Sequence, residues 1–264
     1  MGQALVFGLI GSSALVIGAY WRAPQQVSGV LLAFASGTLI SALAFELFPE
    51  AVHLGGLWPA GLGLIAGGLT FVVINTALDS WVAKSAGDPR EVAALTPEAA
   101  EDVSGAEAQQ TERVEEASTG GAGAAVGFAL LAAVTLDGVP ENLALGVSLL
   151  SGGGGVALLV AIFCSNFPEA LVGAVAMRRG GRSAAFAVAI WCLTAVVLTA
   201  SVVFGRAVFA QFPEESLAFP LAFAGGAVLA SLADALMPEA FEHGRPLNSM
   251  ATAAGFLVSF VLSA

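Results

Sequence analysis

Eight apolar runs, each about as long as a bilayer core is thick, decide what this chain can fold into. A spanning helix needs about 20 mostly apolar residues. The runs cover residues 3–21, 28–52, 57–82, 123–150, 155–177, 184–206, 217–240 and 247–264. Lipid offers the backbone no hydrogen-bond partner, so only helices or closed barrels cross it. Uninterrupted runs of this length predict helices. Composition agrees, because 11% of residues are charged where a soluble domain carries about 25%. The expected fold is all-α, a polytopic membrane protein with eight transmembrane helices.

The charge is unevenly spread. The formal net charge is −11, yet nine of the twenty acids (Asp88, Glu91, Glu98, Glu101, Asp102, Glu107, Glu112, Glu115 and Glu116) fall within residues 83–122. That stretch has no apolar periodicity and reads as a disordered acidic loop. Pro97 suits the first turn of a short helix over Thr96–Asp102. No basic patch with aromatic residues points to nucleic acid. Cys164 and Cys192 sit inside apolar runs and read as small buried residues rather than a disulfide. No basic stretch precedes the first run, which is expected to be retained as a span rather than cleaved.

Basic residues set the orientation. If the N-terminus lies outside, the loops after spans 1, 3, 5 and 7 face the cytoplasm. They carry Arg22; Lys84, Arg90 and Arg113; Arg178, Arg179 and Arg182; and Arg245, which is eight of the nine Lys and Arg. Only Arg206 falls on the other side. The positive-inside rule then predicts both termini outside and the acidic loop in the cytoplasm.

An internal repeat adds a second constraint. Residues 32–51 align with residues 221–240 without gaps, and eleven of the twenty positions are identical. Both copies begin Leu-Ala-Phe-Ala and end Pro-Glu-Ala. The predicted topology runs them in opposite directions. Spans 1–3 and 6–8 are thus expected to be inverted repeats around spans 4 and 5, a 3+2+3 arrangement. Inverted repeats with interrupted helices are an architecture of secondary transporters, whose substrate site lies near the midplane. The expected divisions are 1–82 (helices 1–3), 83–122 (loop), 123–180 (helices 4–5) and 181–264 (helices 6–8).

Spans 4 and 5 hold the chemistry. Asp137 and Glu141 flank a proline, and Ser165 and Glu169 repeat the pattern four residues apart. Residues at i and i+4 share a helix face, so each pair points one way. Pro140 and Pro168 lack an N–H, so the carbonyls of Leu136 and Cys164 are expected to lose their helical partners. An unpaired charge at mid-membrane costs about 2.5–3.5 kcal/mol or more. No Lys or Arg lies at the depth of Asp137, Glu141 and Glu169. Such acids must be protonated, hydrated or neutralised by a bound cation. A divalent metal held by Asp137, Glu141, Ser165, Asn166 and Glu169 satisfies that requirement best. Proton coupling is a competing role, and helix packing by protonated acids is the plainest one. Glu46 and Asp234 are also deep and read as pathway or accessory acids. Glu50 with His53, and Glu239 with Glu242 and His243, lie near span ends and are candidates for cation entry and exit.

These motifs resemble those of the ZIP (zinc/iron permease) family, bacterial members above all. That family's span 4 reads His-Asn-x-Pro-Glu-Gly, and Asp137-Gly138-Val139-Pro140-Glu141-Asn142 lies over it. Its span 5 motif lies over Ser165-Asn166-Phe167-Pro168-Glu169. The resemblance covers nearly the whole chain and implies a secondary transporter of divalent cations into the cytoplasm, with an elevator-like movement of one helix group against another. It implies a plasma-membrane protein without a cofactor, whose partners are the lipid bilayer and the divalent metal ion (Zn²⁺, Mn²⁺ or Fe²⁺), with a homodimer left open. The departures matter too. Family members use His and Asn where Asp137 and Gly138 stand, so a single, harder site is the expectation here. A metal sensor without transport and a proton-coupled carrier of another solute are the alternatives. No nucleophile–base pair lies at depth, so an enzyme is not expected.

Overall fold

The computed structural model describes residues 1–85, 136, 138–150, 155–179 and 182–263. Residues 86–122 of the expected acidic loop with the short helix at Thr96–Asp102, residues 123–135 of the fourth expected span, and Asp137 therefore lie outside the described residues, while 83–85 continue α3. All regular structure among the described residues is helical. Eight helices follow one another: α1 (Gly2–Tyr20), α2 (Gln25–Gly55), α3 (Leu57–Ser85), α4 (138–148), α5 (Val156–Arg179), α6 (Ala184–Phe209), α7 (Glu214–Gly244) and α8 (Asn248–Ser263). Six of these, α1, α2, α3, α5, α6 and α7, are long and apolar enough to cross a membrane, and α8 is a shorter apolar helix. Large apolar side chains such as Leu9, Leu62, Ile65, Val73, Val196 and Val261 remain exposed. That is the surface lipid would cover.

Local chemistry explains how apolar helices tolerate their polar residues. Ser36 donates to the Leu32 carbonyl, Thr70 to Ala66, Thr194 to Ile190 and Thr252 to Asn248, each four residues back. A hydroxyl paired this way exposes no donor to lipid. The turn between α2 and α3 uses Gly56 at φ +85, a left-handed conformation that glycine adopts without a Cβ penalty. Ser183 caps α6 by accepting from the Phe186 N–H at 3.1 Å.

The two copies of the sequence repeat share an irregularity. The α2 backbone passes through a π-helical segment at Leu43–Leu47, and α7 through one at Leu232–Leu236. The two segments have the same offset as the sequence repeat. Phe48 donates to the Leu43 carbonyl and Met237 to the Leu232 carbonyl, the widened spacing of a π turn. Pro49 and Pro238 come next. A proline has no N–H to contribute, so the register can shift there without losing a further bond. Helix α5 continues through Pro168, although Pro168 has no N–H to offer the Cys164 carbonyl. Residues 138–148 are likewise continuous past Pro140.

Glycines set the packing. A Cβ on Gly37 would strike the Thr252 carbonyl, and one on Gly255 the Phe34 carbonyl, joining α2 to α8. A Cβ on Gly226 would strike Leu64, and one on Gly67 would strike Phe223, joining α7 to α3 in the same way. Gly18 meets the Phe167 carbonyl between α1 and α5, and Gly146 meets the Val202 carbonyl between α4 and α6. Small residues let membrane helices approach backbone to backbone. Contacts rise together in residue number along α1–α5, α3–α7 and α4–α6, so these pairs run parallel.

Two packed groups result. Helix α1 lies against α5 and α6, and α4 against α6. Helix α2 lies against α8 and the end of α7, and α3 against α7. The groups meet where α2 and α8 touch α5, and residues of α4, α6 and α7 line a shared cavity.

Candidate metal centre

Helix α4 presents Glu141 one residue after Pro140, and the side chain is 7% exposed. Asn142 follows and is fully buried. Its amide nitrogen donates to the Gly138 carbonyl at 2.8 Å, which fixes the orientation, since that carbonyl can only accept. Its Oδ1 is buried with no hydrogen-bond partner among the described residues. Next to it, the space beside Gly138 is filled by Leu198 of α6. A Cβ at position 138 would lie 2.7 Å from one Leu198 methyl and 2.8 Å from the other.

Helix α5 carries the second half. Ser165 is fully buried and donates to the Ile162 carbonyl at 3.1 Å. Its oxygen lone pairs stay available to a cation. Asn166 is buried and donates from Nδ2 to the Gly11 carbonyl of α1 at 3.1 Å. That bond ties α5 to α1 and leaves Oδ1 as the atom able to bind a metal. Glu169 is half-buried one turn after Ser165. Both helices feed one apolar core, with Leu145 from α4 and Leu158 and Ile162 from α5. Among the described residues no three His, Cys, Asp or Glu side chains form a group able to hold a metal. The expected set includes three acids, Asp137, Glu141 and Glu169, and the first of them lies outside the described residues. Cys164 and Cys192 are free thiols.

The remaining acids are dispersed. Glu46 sits in the π segment of α2 and accepts the Leu158 N–H at 2.7 Å, at the start of α5. Asp234 sits in the π segment of α7, is exposed, and accepts from Asn75 of α3 at 2.8 Å. The two therefore serve different helices. Phe45, which occupies the place of Asp234 in the first repeat, packs edge-on against Phe256 and Phe260 of α8. Glu50 is half-buried and His53 exposed at the end of α2. At the end of α7, His243 Nδ1 lies 3.1 Å from Glu239 Oε1, and Glu242 is half-buried beside them.

Sequence reasoning missed Asn142 and Leu198. Asn142 stands four residues after Gly138, so its place on the Gly138 face was legible. Leu198 had no signal, because which leucine of α6 meets Gly138 depends on helix packing.

With six described helices long and apolar enough to cross a membrane, the chain is a multi-pass membrane protein. The chain matches the profile of the ZIP Zinc transporter family over residues 1–263. It belongs to that family and is a transporter of divalent metal ions. A search of curated proteins finds no match.

Proposed function

We propose that this protein carries a divalent metal into the cytoplasm through one oxygen-lined site on α4 and α5. Asp137, Glu141, Ser165, Asn166 and Glu169 are its ligands. The observation that carries the reading is the burial of Glu141, Ser165 and Asn166 in helices that supply oxygen donors and no histidine. Gly138 supports a single site, because it offers no side-chain ligand and Leu198 fills the space beside it. Removing histidine makes a site harder and favours Mn²⁺ or Fe²⁺ more than a nitrogen-rich site would.

The 3+2+3 inverted repeat is part of the proposal. Matched π segments and matched glycine approaches, each at corresponding positions of 1–82 and 181–264, support it. The two packed helix groups suit alternating access by movement of one group against the other. The proposed setting is the plasma membrane, with both termini outside and residues 83–122 in the cytoplasm. Glu50 and His53 then stand at the outer mouth. Glu239, Glu242 and His243 stand at the inner mouth.

Uptake by purified protein in liposomes, with competing ions, tests this. Mn²⁺ and Fe²⁺ should be carried, and soft Cd²⁺ should compete poorly. Metal binding without any flux would mark a sensor instead. Strong preference for Cd²⁺ and Zn²⁺ with no Mn²⁺ uptake would contradict an oxygen-only site.

A further inference from the structure

Helix α5 begins at Val156, directly after Gly155. The Leu159 N–H donates to the Gly155 carbonyl at 2.9 Å, so Gly155 occupies the capping position. Gly155 has no side chain, and its φ of +56 is left-handed. A Cβ there would lie 2.9 Å from the Ser148 hydroxyl, so the position disfavours the residues that usually cap. The next N–H groups of the first turn therefore need an acceptor from elsewhere. Glu46 supplies it. Its Oε2 accepts from Leu158 N at 2.7 Å, and the Ala157 N–H interacts with the same carboxylate. These are the second and third residues of α5, the N–H groups that a capping side chain ordinarily takes. A carboxylate at that end also meets the positive pole of the helix.

The carboxylate comes from the other packed group. Glu46 belongs to α2, and its place in the π segment Leu43–Leu47 turns it towards α5. Position 235 corresponds to Glu46 in the second repeat and is a buried alanine, so that copy has no such group. The bond is thus a one-sided link between the α2–α3–α7–α8 group and the helix carrying Ser165, Asn166 and Glu169.

We propose that Glu46 is a positioning residue: its carboxylate caps α5 across the interface between the two helix groups and holds the metal-binding side chains of α5 in register, without itself binding the cation. This rests on the reading that α5 carries part of the metal site.

Liposome uptake with Glu46→Gln, Glu46→Asp and Glu46→Ala tests it, alongside Glu169→Ala. Glutamine keeps an acceptor oxygen at the same reach and loses the charge. Aspartate keeps the charge and withdraws the oxygen by one methylene. Positioning predicts that Glu46→Gln stays close to the parent KM, while Glu46→Asp and Glu46→Ala raise KM by about fivefold, the loss expected for a missing cap. The reverse order, with aspartate near the parent and glutamine as impaired as alanine, would mean that the charge itself meets the cation and would overturn the proposal. Unchanged KM in all three would overturn it too. If Glu46→Ala fails to insert, the order of Gln and Asp still decides. Undiminished uptake in Glu169→Ala would reject the α5 site itself, a failure distinct from that of the cap.

Discussion

Gly138 offers no side chain to the proposed site. The space beside it belongs to Leu198, which is fully buried and held by α6. Gly138→Ala should therefore destabilise the protein by about 1–3 kcal/mol through overpacking. Leu198→Ala in the same chain should relieve the clash, so the double variant loses less than the sum of the singles. Thermal unfolding in detergent measures both, and additive losses would show that the two side chains do not meet. Asn142 shows where sequence reading stopped short. Its neighbour Glu141 stood out because a buried acid is costly. An amide carries no charge, and its burial becomes visible only when its partners are known. Glu46 is similar: the sequence marks it as deep, but its engagement with the α5 backbone depends on a π turn.

At the scale of elements, seven of the eight apolar runs coincide with described helices because lipid favours long apolar helices, and of run 123–150 only 136 and 138–150 are described. The ends were less legible. Helices α2 and α7 extend past the expected 28–52 and 217–240 to Gln25–Gly55 and Glu214–Gly244, since polar end residues continue a helix without apolar character. The Pro-Glu pairs of spans 2, 4, 5 and 7 look alike in sequence, yet among the described residues only those at Pro49 and Pro238 follow a π segment. Leu43 and Leu47 of the α2 segment pack beside Gly225 of α7. The glycines make a matched prediction. Gly37→Ala and Gly226→Ala each place a methyl against a carbonyl of the neighbouring helix and should each cost about 1–3 kcal/mol. Gly61→Ala, with open space around it, should change little. Detergent unfolding of the three variants checks this. Unequal losses at Gly37 and Gly226 would argue against equivalent roles for the two repeats.

For the whole molecule, orientation and transport are linked. Eight of nine basic residues fall in alternate loops, which predicts that residues 83–122 face the cytoplasm. Protease added to inside-out vesicles should cut within that loop and leave the bundle intact. In right-side-out vesicles the loop should survive, and cutting there would reverse the assigned direction. The family and the helical fold were legible in the sequence, because motif spacing and hydropathy are local properties. The division into two packed groups was not, since α1 joins α5 and α6 while α2 joins α8 across long stretches of chain. The central claim is that the acids of α4 and α5 carry the metal. Uptake of Mn²⁺ and Zn²⁺ by liposomes holding the parent, Glu141→Ala or Glu169→Ala, each with insertion verified, tests it most directly. The account predicts transport by the parent and loss of at least about tenfold in either variant, as expected when a charged ligand worth more than 1.4 kcal/mol is removed. Undiminished uptake in both variants would contradict it.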